Sequence, residues 1–298
     1  MSVPDHAPTG AIYDRGYRHY DGIREGRSRM VKALVLAGVR RTLGLKRSWK
    51  AKVVPWGLLV IGFAPVVAFI GIRVVAGNTV EQLIGYAEYL RIVSLVLLLF
   101  SATAGPELLC PDRQAGVLAL YFTRPLSRVD YLLARAAALL AVMALIAVLP
   151  LVVLFLGNTL TAPGAMTYLG DHLGDVPRIL LAGCVLTVYY SAVSLAVASL
   201  TERRSIAVVV QIGVFVASLV LVNIVFFASH FAGRRWLSLL ALGQITGSFA
   251  DWVFGRPYPE GSMAAQAGFT GPAYLAAIVA VTVVAAALLS WRISRLRA

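Results

Sequence analysis

The chain has 298 residues, 59% of them hydrophobic and only 14% charged, with a formal net charge of +13. A mean hydropathy of +0.79 excludes an ordinary water-soluble fold. The basic residues flank apolar runs instead of interleaving with stacking aromatics on a polar surface, which also excludes a nucleic-acid partner.

Residues 1–52 read as a cytoplasmic N-terminal segment. Met1 to Arg29 is polar and glycine-rich with no apolar h-region, so no cleavable signal peptide is expected and the first span directs insertion. Met30 to Lys50 reads as a basic helix with an apolar stripe at Val31, Leu34, Val35, Thr42, Leu45 and Trp49. Such a helix lies along the inner membrane surface; the plainer alternative is a solvated basic arm drawn to anionic lipid.

A hydrocarbon core of about 30 Å needs roughly 20 apolar residues in a helix. Six stretches meet that need, at 53–76, 86–109, 132–157, 179–200, 206–228 and 272–291, making 53–291 a transmembrane domain and 292–298 a tail. The first holds Trp56 near one end and Arg73 near the other, where it can snorkel. Pro150 predicts a kink in the third. Trp236 to Phe254 is mildly apolar but carries Gln244 and Asp251, and reads as a re-entrant or interfacial hairpin on the outer side, between spans five and six.

Of the 27 Lys and Arg residues, twenty-one fall on the side of the N-terminal segment, the loops after spans two and four, and the tail. The positive-inside rule makes that side cytoplasmic, with both termini there. The expected fold is therefore an all-α integral membrane protein of six transmembrane helices, in a plasma membrane. Arginine far outnumbers lysine, which points to a GC-rich bacterial source.

Several chemistries find no residues to carry them. None of the four lysines has the Gly-Lys-Ser/Thr context of a Walker A loop. His6, His19, His172 and His230 are scattered, and Cys110 and Cys184 match no metal-ligand spacing, so no metal site, bound cofactor or disulfide framework is expected. No acidic residue lies mid-span; Glu107 comes nearest, at the cytoplasmic end of span two. Mid-membrane polarity is limited to Gln211 and Asn223 in span five and to Tyr189, Tyr190, Ser191 and Ser194 in span four. These are candidates for a substrate pathway, weighed against simple interhelical hydrogen bonding. Gln211 and Asn223 stand about three turns apart on one helix.

The cytoplasmic loop from Cys110 to Tyr131 reads CPDRQAGVLALYFTRPLSRVDY. Asp112 to Phe122 can form a short helix whose Val117, Leu118, Leu120 and Tyr121 offer apolar contacts. Arg124-Pro125 then leaves the helix, because proline disfavours helical geometry in the residue before it. Asp130 is placed to cap the third span. Exposed apolar residues in so polar a loop mark a docking surface for a cytosolic partner, although a loop helix packed on its own spans is the simpler alternative.

These residues resemble the type-2 permeases of ATP-binding-cassette (ABC) transporters. The resemblance is carried by Asp112, Arg113, Gly116, the apolar run Leu118 to Phe122, the turn Thr123-Arg124-Pro125-Leu126-Ser127-Arg128, and Asp130-Tyr131. The stretch from Ile12 to Gly22 is similar to the head of actinobacterial-style members. One departure is Ala134-Arg135 where members often place Gly-Lys.

The resemblance implies that Met30 to Lys50 is an elbow helix and Asp112 to Phe122 a coupling helix seated in a groove on a separate cytosolic ATPase, which binds the ATP and Mg. Glu107, Asp112, Arg113, Gly116, Leu118, Tyr121, Arg124, Pro125 and Arg128 would then be the coupling residues. A second permease copy would complete an exporter working by alternating access in the lipid membrane, and residues 229–271 would contain re-entrant helices. Two other classes compete: an intramembrane lipid-modifying enzyme, which would have to use Glu107, Asp112 and Asp130, and a non-transporting anchor or assembly subunit.

Overall fold

Backbone amides find no water in hydrocarbon, so a crossing segment satisfies them within its own helix. The computed structural model describes residues 26–45, 48–76, 85–116, 126–228 and 233–295, and among these every regular element is helical. In chain order they are α1 (Arg27–Thr42), α2 (Trp49–Ala76), α3 (Tyr86–Gln114), α4 (Arg128–Ala147), α5 (Leu149–Thr161), α6 (Ala165–His172), α7 (Asp175–Leu200) and α8 (Arg204–Ala228). After a 3-10 turn at Arg234–Leu239 come α9 (Gln244–Val253), α10 (Met263–Ala267) and α11 (Gly271–Ser294). Six helices are long and apolar enough to cross a membrane: α2, α3, α4 continued through α5, α7, α8 and α11. The chain is a multi-pass membrane protein.

α3 and α7 form the axis of the bundle. Of their most apolar stretches 72% and 67% is buried, against 22%, 17% and 22% for α2, α8 and α11, whose outer faces are left for lipid or another protein. The axial pair approaches closely because Gly105 of α3 lies against Ser194 of α7, where a Cβ would overlap the serine hydroxyl. Ser194 Oγ donates to the Ser101 carbonyl at 2.5 Å, and Gln211 Nε2 of α8 donates to Ser101 Oγ at 2.8 Å. Hydroxyl and amide bonds therefore stitch three helices together where the hydrophobic effect cannot.

The third span is divided where proline removes a backbone donor: α4 ends at Ala147, and Pro150 sits in the first turn of α5. The 3-10 turn and the ten-residue α9 are each too short to cross. α9 instead packs on α3 and α11, burying Ile245, Phe249 and Ala250.

The N-terminal surface helix is shorter than its sequence pattern and more deeply seated. It stops at Thr42, and Gly44 turns the chain with φ +65°, so Leu45 and Trp49 are not on its stripe and are exposed. Its buried positions are Leu34, Gly38 and Thr42, packed on α4. A Cβ on Gly38 would come within 2.6 Å of the Ala138 Cβ, so a glycine sets this approach.

Overpacking a close helix contact costs about 1–3 kcal/mol. Gly105→Val should therefore lower the thermal unfolding temperature of the detergent-purified chain, whereas Gly213→Val on α8, where no atom lies near a new Cβ, should leave it unchanged.

Candidate functional site

At the end of the bundle where α3 finishes and α4 begins, two carboxyl groups are buried on α3. Asp112, 4% exposed, accepts hydrogen bonds from Arg41 Nη1 of α1 at 2.7 Å, from the Tyr131 hydroxyl of α4 at 2.8 Å, and from Arg135 Nη2 of α4. Glu107, 5% exposed, pairs with Arg204 at the start of α8, and its Oε1 lies 3.7 Å from Arg41 Nε. Arg41 thus bridges both acids. Desolvating a carboxylate is costly enough that such groups persist only when paired, so this cluster obliges α1, α4 and α8 to meet on α3.

Two further clamps lie beside it. Arg113 Nη1 donates to the Ser199 and Thr201 carbonyls at 2.7 and 3.3 Å, satisfying acceptors that the end of α7 leaves without intrahelical partners. Arg27 of α1 grips Asp130 with two hydrogen bonds of 2.8 and 2.6 Å. Asp130 also closes a capping box with Ser127 at the start of α4, its Oδ2 accepting from the Ser127 amide at 2.9 Å while Ser127 Oγ accepts from the Asp130 amide at 3.1 Å.

Asp112 and Arg113 belong to the last turn of α3, a correction to their placement at the head of a separate surface helix. α3 runs through Pro106 and Pro111, and the chain turns only after Ala115, at Gly116 with φ +62°. Arg41 and Arg135 draw the Asp112 carboxyl inward, away from any docking surface. Leu118, Tyr121, Arg124 and Pro125 lie outside the described residues, and Arg128 is the first residue of α4. Of the remaining partners, Tyr131 and Arg135 stand in the sequence only as positions of the family resemblance, and Arg41 and Arg204 carry no mark of a site there. Two acids five residues apart on an apolar helix are the signal that calls for them.

The mid-membrane polar residues divide. Tyr190, Ser191, Ser194 and Gln211 are all buried, and Tyr189, also buried, donates to the Leu242 carbonyl at 2.9 Å. Tyr190 sits 3.5 Å from Thr246 of α9, while Ser191 Oγ and Gln211 Oε1 have no hydrogen-bond partner among the described residues. Asn223 lies elsewhere. At the far end of α8 it accepts from Gln244 Nε2 at 3.4 Å and borders a cavity of about 440 Å³. The structure does not bring Asn223 and Gln211 to one place.

That cavity is also lined by Arg91, Ser94, Ser248 and Asp251. Arg91 Nη2 and Asp251 Oδ2 are 2.5 Å apart, with Asp251 buried. Burial pushes the Asp251 carboxyl up from its ordinary range, and the Arg91 guanidinium opposes the shift. On the same side of the bundle Arg256 pairs with Glu88, and Arg73 donates to Asn158 at 2.6 Å. Among the described residues no group of three His, Cys, Asp or Glu is placed to hold a metal ion.

No protein-family model matches the chain, and no curated protein sequence matches it.

Breaking a buried pair by removing one member costs about 3–5 kcal/mol, while losing one neutral hydrogen bond costs about 1 kcal/mol. Asp112→Asn should thus destabilise the purified chain far more than Tyr131→Phe, as read from denaturant midpoints. At the other end, Arg91→Leu leaves the Asp251 carboxyl buried without its cation, so the folded state holds that proton more tightly than the unfolded chain does. The stability of Arg91→Leu relative to the parent should fall as pH rises from the ordinary carboxylate range to the raised folded value and then level off; Arg91→Leu combined with Asp251→Asn should abolish this pH dependence.

Proposed function

We propose that this chain is the permease subunit of an ABC exporter in a bacterial plasma membrane, moving its substrate by alternating access driven by a separate cytosolic ATPase. The observation that carries this reading is the fastening of the residues on both sides of segment 117–125. Its outgoing end leaves α3 beside Asp112 and Arg113, and its returning end meets the Ser127 and Asp130 box, itself gripped by Arg27. A force applied to such a loop is passed to α1, α3, α4, α7 and α8 together, as a lever requires.

The low burial of α2 and α8 is consistent with a second permease copy beside them. The ATPase supplies ATP and Mg chemistry, and this chain supplies pathway and lever. The enzyme alternative is disfavoured because Glu107, Asp112 and Asp130, the acids it would have to use, all face arginines.

In cells co-expressing this chain with a cytosolic ABC ATPase that co-purifies with it, Leu118→Asp, Tyr121→Asp and Arg124→Glu should each lower the co-purified ATPase by about tenfold, the scale of losing one interface anchor, with membrane abundance of the chain unchanged. Undiminished association in all three would overturn the assignment of the loop as the ATPase contact.

A further inference from the structure

A second cavity, of about 390 Å³, opens at the charged end between the end of α1 and the starts of α2 and α8, with α3 as its floor. Its charged lining is Arg41, Lys50, Arg204 and Glu107, three cations against one acid. Glu107 is matched by Arg204, and Arg41 is shared between Glu107 and the adjoining Asp112, which leaves Lys50 as the cation in excess. Lys50 is exposed and, among the described residues, has no carboxylate within ion-pair distance. The 28-residue α2 and 25-residue α8 both begin here with no acidic residue in the first turn, so two helix N-termini add positive potential. Ser48 and Thr103 contribute hydroxyls.

From Thr103 on the cavity floor, α3 carries an apolar strip away from the charged end. α3 packs against both α2 and α8, which make no extended contact with one another. The strip of α3 bearing Ile92, Leu95, Leu99 and Thr103 keeps one helical spacing along its length, and Leu95 is 60% exposed. The site is cationic at the level where a bilayer places its headgroups and apolar where it places its acyl chains.

We propose that this cavity holds the phosphate headgroup of an anionic phospholipid, whose acyl chains lie along the strip of α3 between α2 and α8. The charge excess selects against a zwitterionic lipid, and the apolar strip selects against a free anion. This inference goes beyond the permease reading and needs only a bilayer; its test involves no ATPase, so either can fail without the other.

The full chain, purified in neutral detergent, is titrated with phosphatidylglycerol and with phosphatidylcholine of the same acyl chains, and bound lipid is counted by native mass spectrometry. Each cation near a membrane surface contributes about 1 kcal/mol toward anionic lipid, so Lys50→Glu should weaken phosphatidylglycerol binding by roughly tenfold to thirtyfold. Lys50→Arg should retain it, and Arg178→Glu at the opposite end should have no effect. Thr103→Trp fills the floor without altering charge and should also weaken binding. Equal affinity for the two lipids, or binding indifferent to both Lys50→Glu and Thr103→Trp, overturns the proposal. So does displacement of the lipid by millimolar inorganic phosphate, or protection of the strip by a second copy of the chain in place of lipid.

Discussion

A buried carboxyl group on an apolar helix must be matched by cations, and Asp112 draws them from two neighbouring helices. Its partners come from α1 and α4, and the neighbouring Glu107 recruits α8 through Arg204. In a bilayer the apolar faces of helices gain little from one another over lipid. Charge pairing at the end of α3, together with the hydroxyl and amide bonds around Ser101, therefore does much to decide which helices are neighbours. Desolvation makes the arrangement selective, since each misplaced helix would strand a charge.

The two ends of the bundle solve different problems. The end carrying Asp112 concentrates arginines from several helices around the two acids of α3 and leaves a net positive cavity beside them. The opposite end is built from short helices that do not cross, and its Arg91–Asp251 pair lies in a larger, more evenly balanced polar cavity. Between them, tightly packed small residues such as Gly105 allow α3 and α7 to run close enough for side chains to bond across.

The spans are legible in the sequence because hydrocarbon thickness fixes their length, and Pro150 marks a real division between α4 and α5. Helix ends are less so. α1 stops at Thr42 although the apolar pattern runs on to Trp49, because a left-handed glycine outweighs periodicity. Likewise α3 continues to Gln114 through two prolines, whose lost backbone bonds are outweighed by what Asp112 and Arg113 gain at its end. The two acids at the end of α3 are visible as candidates, but their pairing with particular arginines is not. Arg41 is one of several arginines in a basic helix, and only the packing of α1 on α4 singles it out. Gln211 and Asn223 share a helix and a polar character, yet one is buried in the axis and the other borders a cavity some three turns away.

Which face of the membrane the Asp112 cluster occupies is the point on which the functional account turns. Gln114, exposed at the end of α3, can be replaced by cysteine in a Cys110→Ala, Cys184→Ala background, with Asp171→Cys as the marker for the opposite end. In intact cells a membrane-impermeant thiol reagent should label position 171 and spare position 114 until the membrane is opened. Labelling of position 114 from outside, with 171 protected, would contradict the account.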